Sequence, residues 1–317
     1  MTAASLPHAA APLSTGAAAE PRGYRADIAF THADFTRIAA FAHREYGLHL
    51  QESKKDLVYS RLVKRLRKAG CPDFATYCNQ LEGDGGAAER VELISALTTN
   101  VTHFFREEHH FTLLSDLVLK PQADRLRAGQ RMRIWSAGCS AGQEPYSIAA
   151  TVLELLPEAT RMNIRILATD IDPAILARAR AANYPAEEAK GVPDRLRAQM
   201  FDRAAETSAQ VQVQARIRGL VHFAELNLMA DWPVHGPFDA IFCRNVAIYF
   251  DKPTQARLWQ RYAALLAPGG LLCIGHSERL SGPATAQLDS VGITAYRRNA
   301  SPAGALGPPG PDVPTVP

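Results

Sequence analysis

The sequence predicts a doubly wound, Rossmann-like α/β domain preceded by an all-helical one, on three observations. Residues 32–120 carry helical spacing of apolar side chains and little strand signal. From residue 131 onward short apolar strands alternate with helices, the pattern of a mainly parallel sheet. The first of those strands, "RMRIWSAG", runs into a turn of small residues that opens a helix, where such sheets hold their ligands.

Each helical segment has its own start and stop signals. "THADFTRIAAFAHREYGLHL" offers Thr31, His32 and Asp34 as caps and spaces Phe35, Ile38, Phe41 and Tyr46 along one face. "ESKKDLVYSRLVKRLRKAG" stops at Gly70, "DFATYCNQLEGDGG" ends in glycines, and "AAERVELISALTTN" forms a fourth helix. "REEHHFTLLSDLVLKPQADRLRAG" reads as one long helix interrupted at Pro121. In the second half, strands "RMNIRILATDID", "VHFAELNL", "FDAIFCRN" and "LLCIGH" join helices "EPYSIAATVLELL", "PAILARARAANY" and "TQARLWQRYAALLAPGG". "GITAYRRN" reads as a last antiparallel strand beside "LLCIGH", and "QVQVQARIRGLVHF" alternates with period two, as in a small half-exposed β-insertion. The expected organisation is a mobile tail at 1–25, a helical domain at 26–98 and a linker with a helix at 99–130. An α/β domain at 131–298, with its insertion at 185–220, and a second mobile tail at 299–317 complete it.

Composition limits the class of function. The chain has 317 residues, 47% hydrophobic and 21% charged, an ordinary globular balance. A net charge of +3 makes no general case for nucleic acid. No run approaches the ~18 apolar residues of a membrane span, and the Ala/Pro-rich start lacks a secretory core. A cytoplasmic protein without membrane insertion is expected. The five cysteines, Cys71, Cys78, Cys139, Cys243 and Cys273, contain no CxxC pair and read as reduced, buried thiols. His103, His109 and His110 sit near a helix start, where solvent exposure or packing accounts for them, and no metal is expected.

The chemistry concentrates at strand ends. In "IWSAGCSAGQEPYS" the small residues around Gly138 let backbone approach a ligand. "ILATDID" ends the next strand in Asp170, placed to accept two ribose hydroxyls. The loop lacks a Lys-Ser/Thr ending, which excludes the nucleoside triphosphate loop. NAD and S-adenosylmethionine both fit a sugar-plus-adenine site. Glu144 at the helix start would repel a pyrophosphate but suits a cationic sulfonium, which favours S-adenosylmethionine. "FDAIFCRNVAIYFDK" then turns a buried strand abruptly into Arg244 and Asn245, two groups that need partners. Asp239 and Asp251 are the acids near enough in sequence to be structural partners for Arg244.

"LTTNVTHFFRE", "WSAGCSAGQEPYSIA", "ATDIDPAILARAR", "LNL", "GPFDAIFCRNVAIYFDK" and "GGLLCIGHSE", in this order, resemble the chemotaxis receptor methyltransferases, the CheR family. The resemblance spans residues from about 30 to 298. It implies an S-adenosylmethionine-dependent methyltransferase domain with a β-subdomain insertion behind a helical domain. The implied activity is esterification of glutamate side chains on cytoplasmic helices of methyl-accepting chemoreceptors, for chemotactic adaptation, leaving S-adenosyl-L-homocysteine. By position it implies cofactor contacts at Asn100, Thr102, Arg106, Gly138, Glu144, Asp170, Asn227, Leu228, Arg244 and Asn245. Arg106 and Tyr249 fall near the transferred methyl, Arg106 to orient the incoming carboxylate and Tyr249 to line the site. The general methyltransferase loop has an acid and a third glycine where this chain has Ser136 and Ser140.

Residues 54–68 form a basic helix in which Lys54, Arg61, Lys64, Arg65 and Lys68 fall within an arc of roughly 100°. Tyr59, Leu62, Val63 and Leu66 cover the neighbouring arc. Such a face is ordinarily just solvated; with the resemblance it becomes a docking face for an acidic receptor helix. The insertion lacks the glycine-rich turn associated with family members that bind a receptor's C-terminal peptide. Two other functions fit the residues. One is a regulatory module that binds S-adenosylmethionine without turnover, and the other a methyltransferase acting on RNA or another protein nucleophile.

Overall fold

Strand order in the main sheet of the computed structural model is β5-β2-β1-β6-β7-β9-β8. Residues 28–98, 100–202 and 209–300 are described by the structure. The expected tails at 1–25 and, from 301, at the C-terminus lie outside them. Asn299, which the sequence assigns to the C-terminal tail, is held to the fold, since its N–H donates to Gln287 O at 3.0 Å.

Helices α1 (His32–Tyr46), α2 (Lys55–Lys68), α3 (Phe74–Glu82) and α4 (Ala87–Leu97) come first. Thr31 caps α1 in a reciprocal box with Asp34, and Gly47 ends it at φ 70°. A side chain at Gly47 would also meet Met229 Sδ at 2.5 Å, so the glycine lets this turn lie against the second half of the chain. The next helix, α5 (His109–Leu113), passes through a π-helical turn at Leu114–Leu119 into α6 (Lys120–Arg127). The wide turn immediately precedes Pro121, whose missing N–H and ring disturb the α-helical ladder there.

The α/β part follows as β1 (Met132–Ala137), α7 (Gln143–Leu155), β2 (Ile164–Asp170), α8 (Pro173–Ala181), β3 (Asn183–Pro185) and α9 (Asp194–Met200). Then come β4 (Gln210–Gln212), α10 (Ala215–Arg218), β5 (Val221–Glu225), β6 (Phe238–Cys243), α11 (Lys252–Leu265), β7 (Leu266–Ile274), β8 (Leu288–Gly292) and β9 (Ala295–Arg298). Strands β5, β2, β1, β6 and β7 are parallel. β9 runs antiparallel to β7, as the sequence predicts, and β8 pairs antiparallel with β9 outside it. The insertion differs from expectation. β3 and β4 form a two-stranded antiparallel sheet, but α9 and α10 occupy much of the segment, and "VHF" belongs to β5 of the main sheet.

Burial explains the layering. Phe104, Phe111, Leu114, Ile148, Val152 and Tyr184 pack on one sheet face. On the other, Trp135, Ile241, Leu272 and Trp259 join a core continuous with Phe35, Ile38, Leu62, Leu66 and Phe74 of the helical part. That shared core sets the loop after α1 against the carboxyl edge of the sheet. The His49 N–H donates to Tyr249 O at 2.7 Å, Leu48 bridges Phe250, and the Asn227 side-chain amide donates to Glu45 O at 2.8 Å.

Candidate active site

β1, the middle of the five parallel strands, has β2 on one side and β6 on the other, so the chain's connections diverge at this point. A crevice at the carboxyl ends follows from that topology. The structure holds a cavity of about 310 Å³ there, lined from the helical part by Tyr46 at the end of α1, Leu48 after it and Ile94 of α4. Asn100, Thr102, Arg106, Gly138, Glu144, Asp170, Asn227, Leu228, Arg244, Asn245 and Tyr249 all line it.

The turn after β1 takes its shape from local constraints. Gly138 has φ 82°, and a Cβ there would meet Val246 Cγ2 at 2.3 Å. Gly142 has φ 96°, and a Cβ would meet the Tyr184 hydroxyl at 2.8 Å. Both glycines are therefore required by the protein's own packing. Ser140 adopts φ 49°, and its N–H donates to Asp170 Oδ2 at 2.8 Å, while Asp172 N–H donates to Oδ1 at 3.1 Å. Each Asp170 oxygen keeps acceptor capacity for a ligand hydroxyl. Burial pushes the Asp170 carboxyl up, against the opposing effect of those N–H donors.

Arg244 lines the cavity and is also held in an ion pair. Its partner is neither Asp239 nor Asp251 but Glu144, at 2.6 Å from Arg244 Nε to Oε2. Glu144 Oε1 accepts from the Ser136 hydroxyl at 2.6 Å. Glu144 therefore does not present a free anion to a sulfonium; it lies in a buried ion pair whose members are 3% and 8% exposed. The reason is geometric, since the start of α7 and the end of β6 converge on one point, where two isolated charges would each need a partner. Ser136 stands where the general loop carries an acid, and Glu144 brings its carboxylate to that serine.

Arg244 also reaches the segment before α5. Its Nη1 donates to Arg106 O and lies 3.8 Å from Glu107 Oε2. Phe105 and Glu107 hold φ 52° and 56°, left-handed values for bulky residues on both sides of Arg106. Such strain persists where surroundings enforce it. Here Phe105 N–H donates to Ser147 Oγ at 3.0 Å, and Glu107 Oε1 accepts from His276 N–H at 3.1 Å and lies 3.2 Å from its Nδ1. Glu107 Oε2 is buried without a hydrogen-bond partner. Burial raises the Glu107 carboxyl, yet Arg244 and His276 outweigh it and hold the group below its ordinary value. His110 is buried behind them and pushed down to about 4 by burial and by Arg244. Its Nε2 faces Ile293 O and Thr294 Oγ1, each at 3.2 Å, which places the proton on Nε2.

On the other wall Asn245 takes φ 61°, and the buried carboxylate of Glu278 holds its turn. Glu278 accepts from the N–H groups of Gly275 at 2.5 Å, Asn245 at 3.2 Å and Ile248 at 3.2 Å. Asn227 makes its two side-chain bonds to backbone, accepting from Met229 N–H at 2.9 Å besides its bond to Glu45. The residues fit the implied cofactor. An acceptor carboxylate stands at the tip of β2, Ile171, Leu226 and Leu228 supply apolar wall for a base, and a cradle of small residues crosses the end of β1.

Residues 33–98 match the model of the CheR methyltransferase all-alpha domain, and residues 100–297 match that of the CheR methyltransferase SAM binding domain. The chain belongs to the CheR methyltransferase family. It is 52% identical to a probable chemotaxis protein methyltransferase of Rhizobium etli, over 80% of this chain and 96% of that one. Chemotaxis protein methyltransferase 2 of Pseudomonas aeruginosa is 45% identical, over 84% and 93% of the two chains. The chemotaxis protein methyltransferase of Escherichia coli is 43% identical, over 80% and 87%. As a CheR methyltransferase, the chain is S-adenosylmethionine-dependent, and its fold is that of the methyltransferase domain the sequence predicts.

Within this CheR chain the basic helix needs correction. Arg65 does not belong to an exposed face. Its Nε and Nη2 donate to Glu89 at 2.6 Å each and its Nη1 to Glu92 at 2.8 Å. Arg61 Nη1 donates to Leu97 O at 2.6 Å. The inward arc is wider than predicted because Val58 is buried as well. Lys54, Lys64 and Lys68 are the members that remain exposed. Sequence reasoning also missed Glu107, His276, Ser277 and Glu278. A signal existed for the last three, because polar residues directly follow the buried strand "LLCIG", as Arg244 and Asn245 follow "FDAIFC".

Proposed function

We propose that the protein esterifies glutamate side chains on cytoplasmic helices of chemoreceptors, with the methyl group drawn from S-adenosylmethionine. The observation that carries this reading is a single cavity lined by Arg106, Tyr249, Asp170 and Asn245. The cofactor supplies a methyl group made electrophilic by an adjacent sulfonium. Asp170 accepts the ribose hydroxyls, and Leu226 and Leu228 flank the base. Asn100, Thr102 and Asn245 supply further polar contacts.

A glutamate carboxylate is ionised at neutral pH and needs no general base to attack a methyl group. What the protein must supply is alignment and removal of water from the nucleophile. Arg106, half-buried and anchored to Val101 O at 3.2 Å, orients the carboxylate by charge-assisted hydrogen bonding. Tyr249 lines the transfer site. Arg244 and Glu144 keep the floor of the cavity polar and electrically balanced. The exposed Lys54, Lys64 and Lys68 draw an acidic helix toward the enzyme. On this reading the protein works in the cytoplasm.

The test is transfer of labelled methyl to a chemoreceptor cytoplasmic fragment, followed by mild alkali. Release of the label as methanol supports a carboxyl ester. A label stable to alkali moves the activity to another nucleophile, and cofactor binding without transfer to any receptor leaves a binding module. Arg106→Ala should cut turnover by about 100-fold, the scale of a lost charge-assisted contact at the reacting centre. Full turnover in that variant would remove Arg106 from the mechanism.

A further inference from the structure

Among the described residues, large apolar side chains stand exposed at Leu57, Val101, Ile248 and Ile293. Val101 is 73% exposed and Ile248 45%, and both line the cavity. Scattered exposed apolar residues need no explanation, but a pair at the opening of a reaction cavity does. Neither is loose chain. The carbonyl of Val101 accepts from Arg106 Nη1 at 3.2 Å, and the N–H of Ile248 donates to buried Glu278 Oε1 at 3.2 Å. The exposure of Ile248 is local, since Ala247 before it and Phe250 two residues after it are buried. Both backbones are fixed while their side chains face solvent.

We propose that Val101 and Ile248 form an apolar rim that receives the receptor helix next to the glutamate being methylated, and so select acidic helices with apolar neighbours one turn away. This rests on the function proposed above. Any segment that delivers a side-chain carboxylate to Arg106 has to cross the opening where these two side chains stand. On a helix, the residues flanking that glutamate at three and four positions meet the same surface. A charged neighbour would be desolvated against Val101 or Ile248, whereas an apolar one gains by burial. Rigid presentation lowers the entropic cost of docking. Covering the rim also shields the carboxylate from water, which a dehydrated nucleophile requires. The positive charge of Arg106 and of the exposed lysines on α2 complements an acidic helix and not a basic one.

The decisive experiment uses the full chain and a fluorescently labelled chemoreceptor cytoplasmic fragment, with binding read by anisotropy and methyl transfer read separately. Val101→Asp and Ile248→Asp should each weaken fragment binding by about tenfold or more, the size expected at a central contact. Affinity for S-adenosylhomocysteine, read by calorimetry, should stay within about twofold, as for residues outside the cofactor's own contacts. Val101→Ala and Ile248→Ala, which disturb folding least, should move fragment binding in the same direction. Fragment affinity unchanged in all variants overturns the rim, as does a parallel loss of cofactor affinity. Wild-type protein that binds the fragment without methylating it sinks the proposed reaction and leaves the rim standing. Wild-type protein that methylates the fragment while the variants bind it normally sinks the rim alone.

Discussion

Among the described residues, two arginine–glutamate networks lie away from solvent, one centred on Arg65 and one on Arg244, and they are built to different ends. In the helical part, Arg65 grips both oxygens of Glu89, which also accepts from the Tyr77 hydroxyl at 2.9 Å. That network is closed, with each charged fork matched to a carboxylate. At the cavity, Arg244 uses Nε for Glu144, spends Nη1 on a backbone carbonyl, and stands near a Glu107 oxygen that no donor satisfies. That network is open toward the site. The same residue types thus serve stability where they are saturated and chemistry where they are not.

The largest effect should come from breaking the closed pair. Glu89→Ala leaves Arg65 only the more exposed Glu92 and leaves the buried Tyr77 hydroxyl without its acceptor, and should cost about 3 kcal/mol of stability, the low end for a broken buried pair. Chemical denaturation measures it. Cofactor affinity at a temperature where the variant is folded should match wild type, because Glu89 lies away from the cavity. A loss below about 1 kcal/mol would mean the pair behaves as a surface contact.

Glu144→Gln should invert that pattern. Size and the Ser136 contact are kept, but Arg244 loses its counter-charge and its hold on Arg106 O is no longer fixed. Cofactor affinity should fall by about 10- to 100-fold, equivalent to roughly 1.4–2.8 kcal/mol. Stability should fall less than in Glu89→Ala, since a guanidinium beside an open cavity can recruit water. Calorimetric titration and a denaturation curve on one sample decide it. A variant that unfolds as readily as Glu89→Ala and binds cofactor normally would erase the distinction between the two networks.

Legibility in the sequence followed from how local each cause is. Alternating elements, the glycine turn after β1 and the acid at the tip of β2 are short-range patterns, and the fold and crevice could be read from them. β8 could not, because "LDSVG" is an exposed edge strand, buried at Leu288 alone, with no apolar alternation to mark it. The period-two run from residue 210 misled because only its first three residues pair in the small sheet, while Ile217 turns inward from a helix and the run's end joins the main sheet as β5. The partner of Arg244 was invisible for a different reason. Glu144 is 100 positions away in sequence, and only the convergence of α7 and β6 brings them together. Arg65 failed as a docking residue likewise, since the acids that claim it belong to α4.

The smallest effect tests a third kind of contact, neither closed nor open to the site but exposed. His43 Nε2 lies 2.9 Å from Asp251 Oδ2, across the junction between the helical part and the sheet. Asp251 also caps α11, accepting from Thr254 N–H at 2.8 Å. Hydrogen bonding by Thr254 first, then His43, lowers the Asp251 carboxyl to about 2. A carboxyl depressed in the folded state stabilises above its unfolded value of about 3.9, and that stabilisation is lost as pH falls toward about 2. Asp251→Ala should therefore cost about 1 kcal/mol at neutral pH, as a lost cap does, and nothing below the folded value. His43→Ala should cost less than about 0.5 kcal/mol, because an exposed ion pair gains little over solvated charges. Thermal melting of both variants between pH 7 and pH 2 checks the order. Equal costs would mean that the bridge across the junction, and not the helix cap, is what Asp251 contributes.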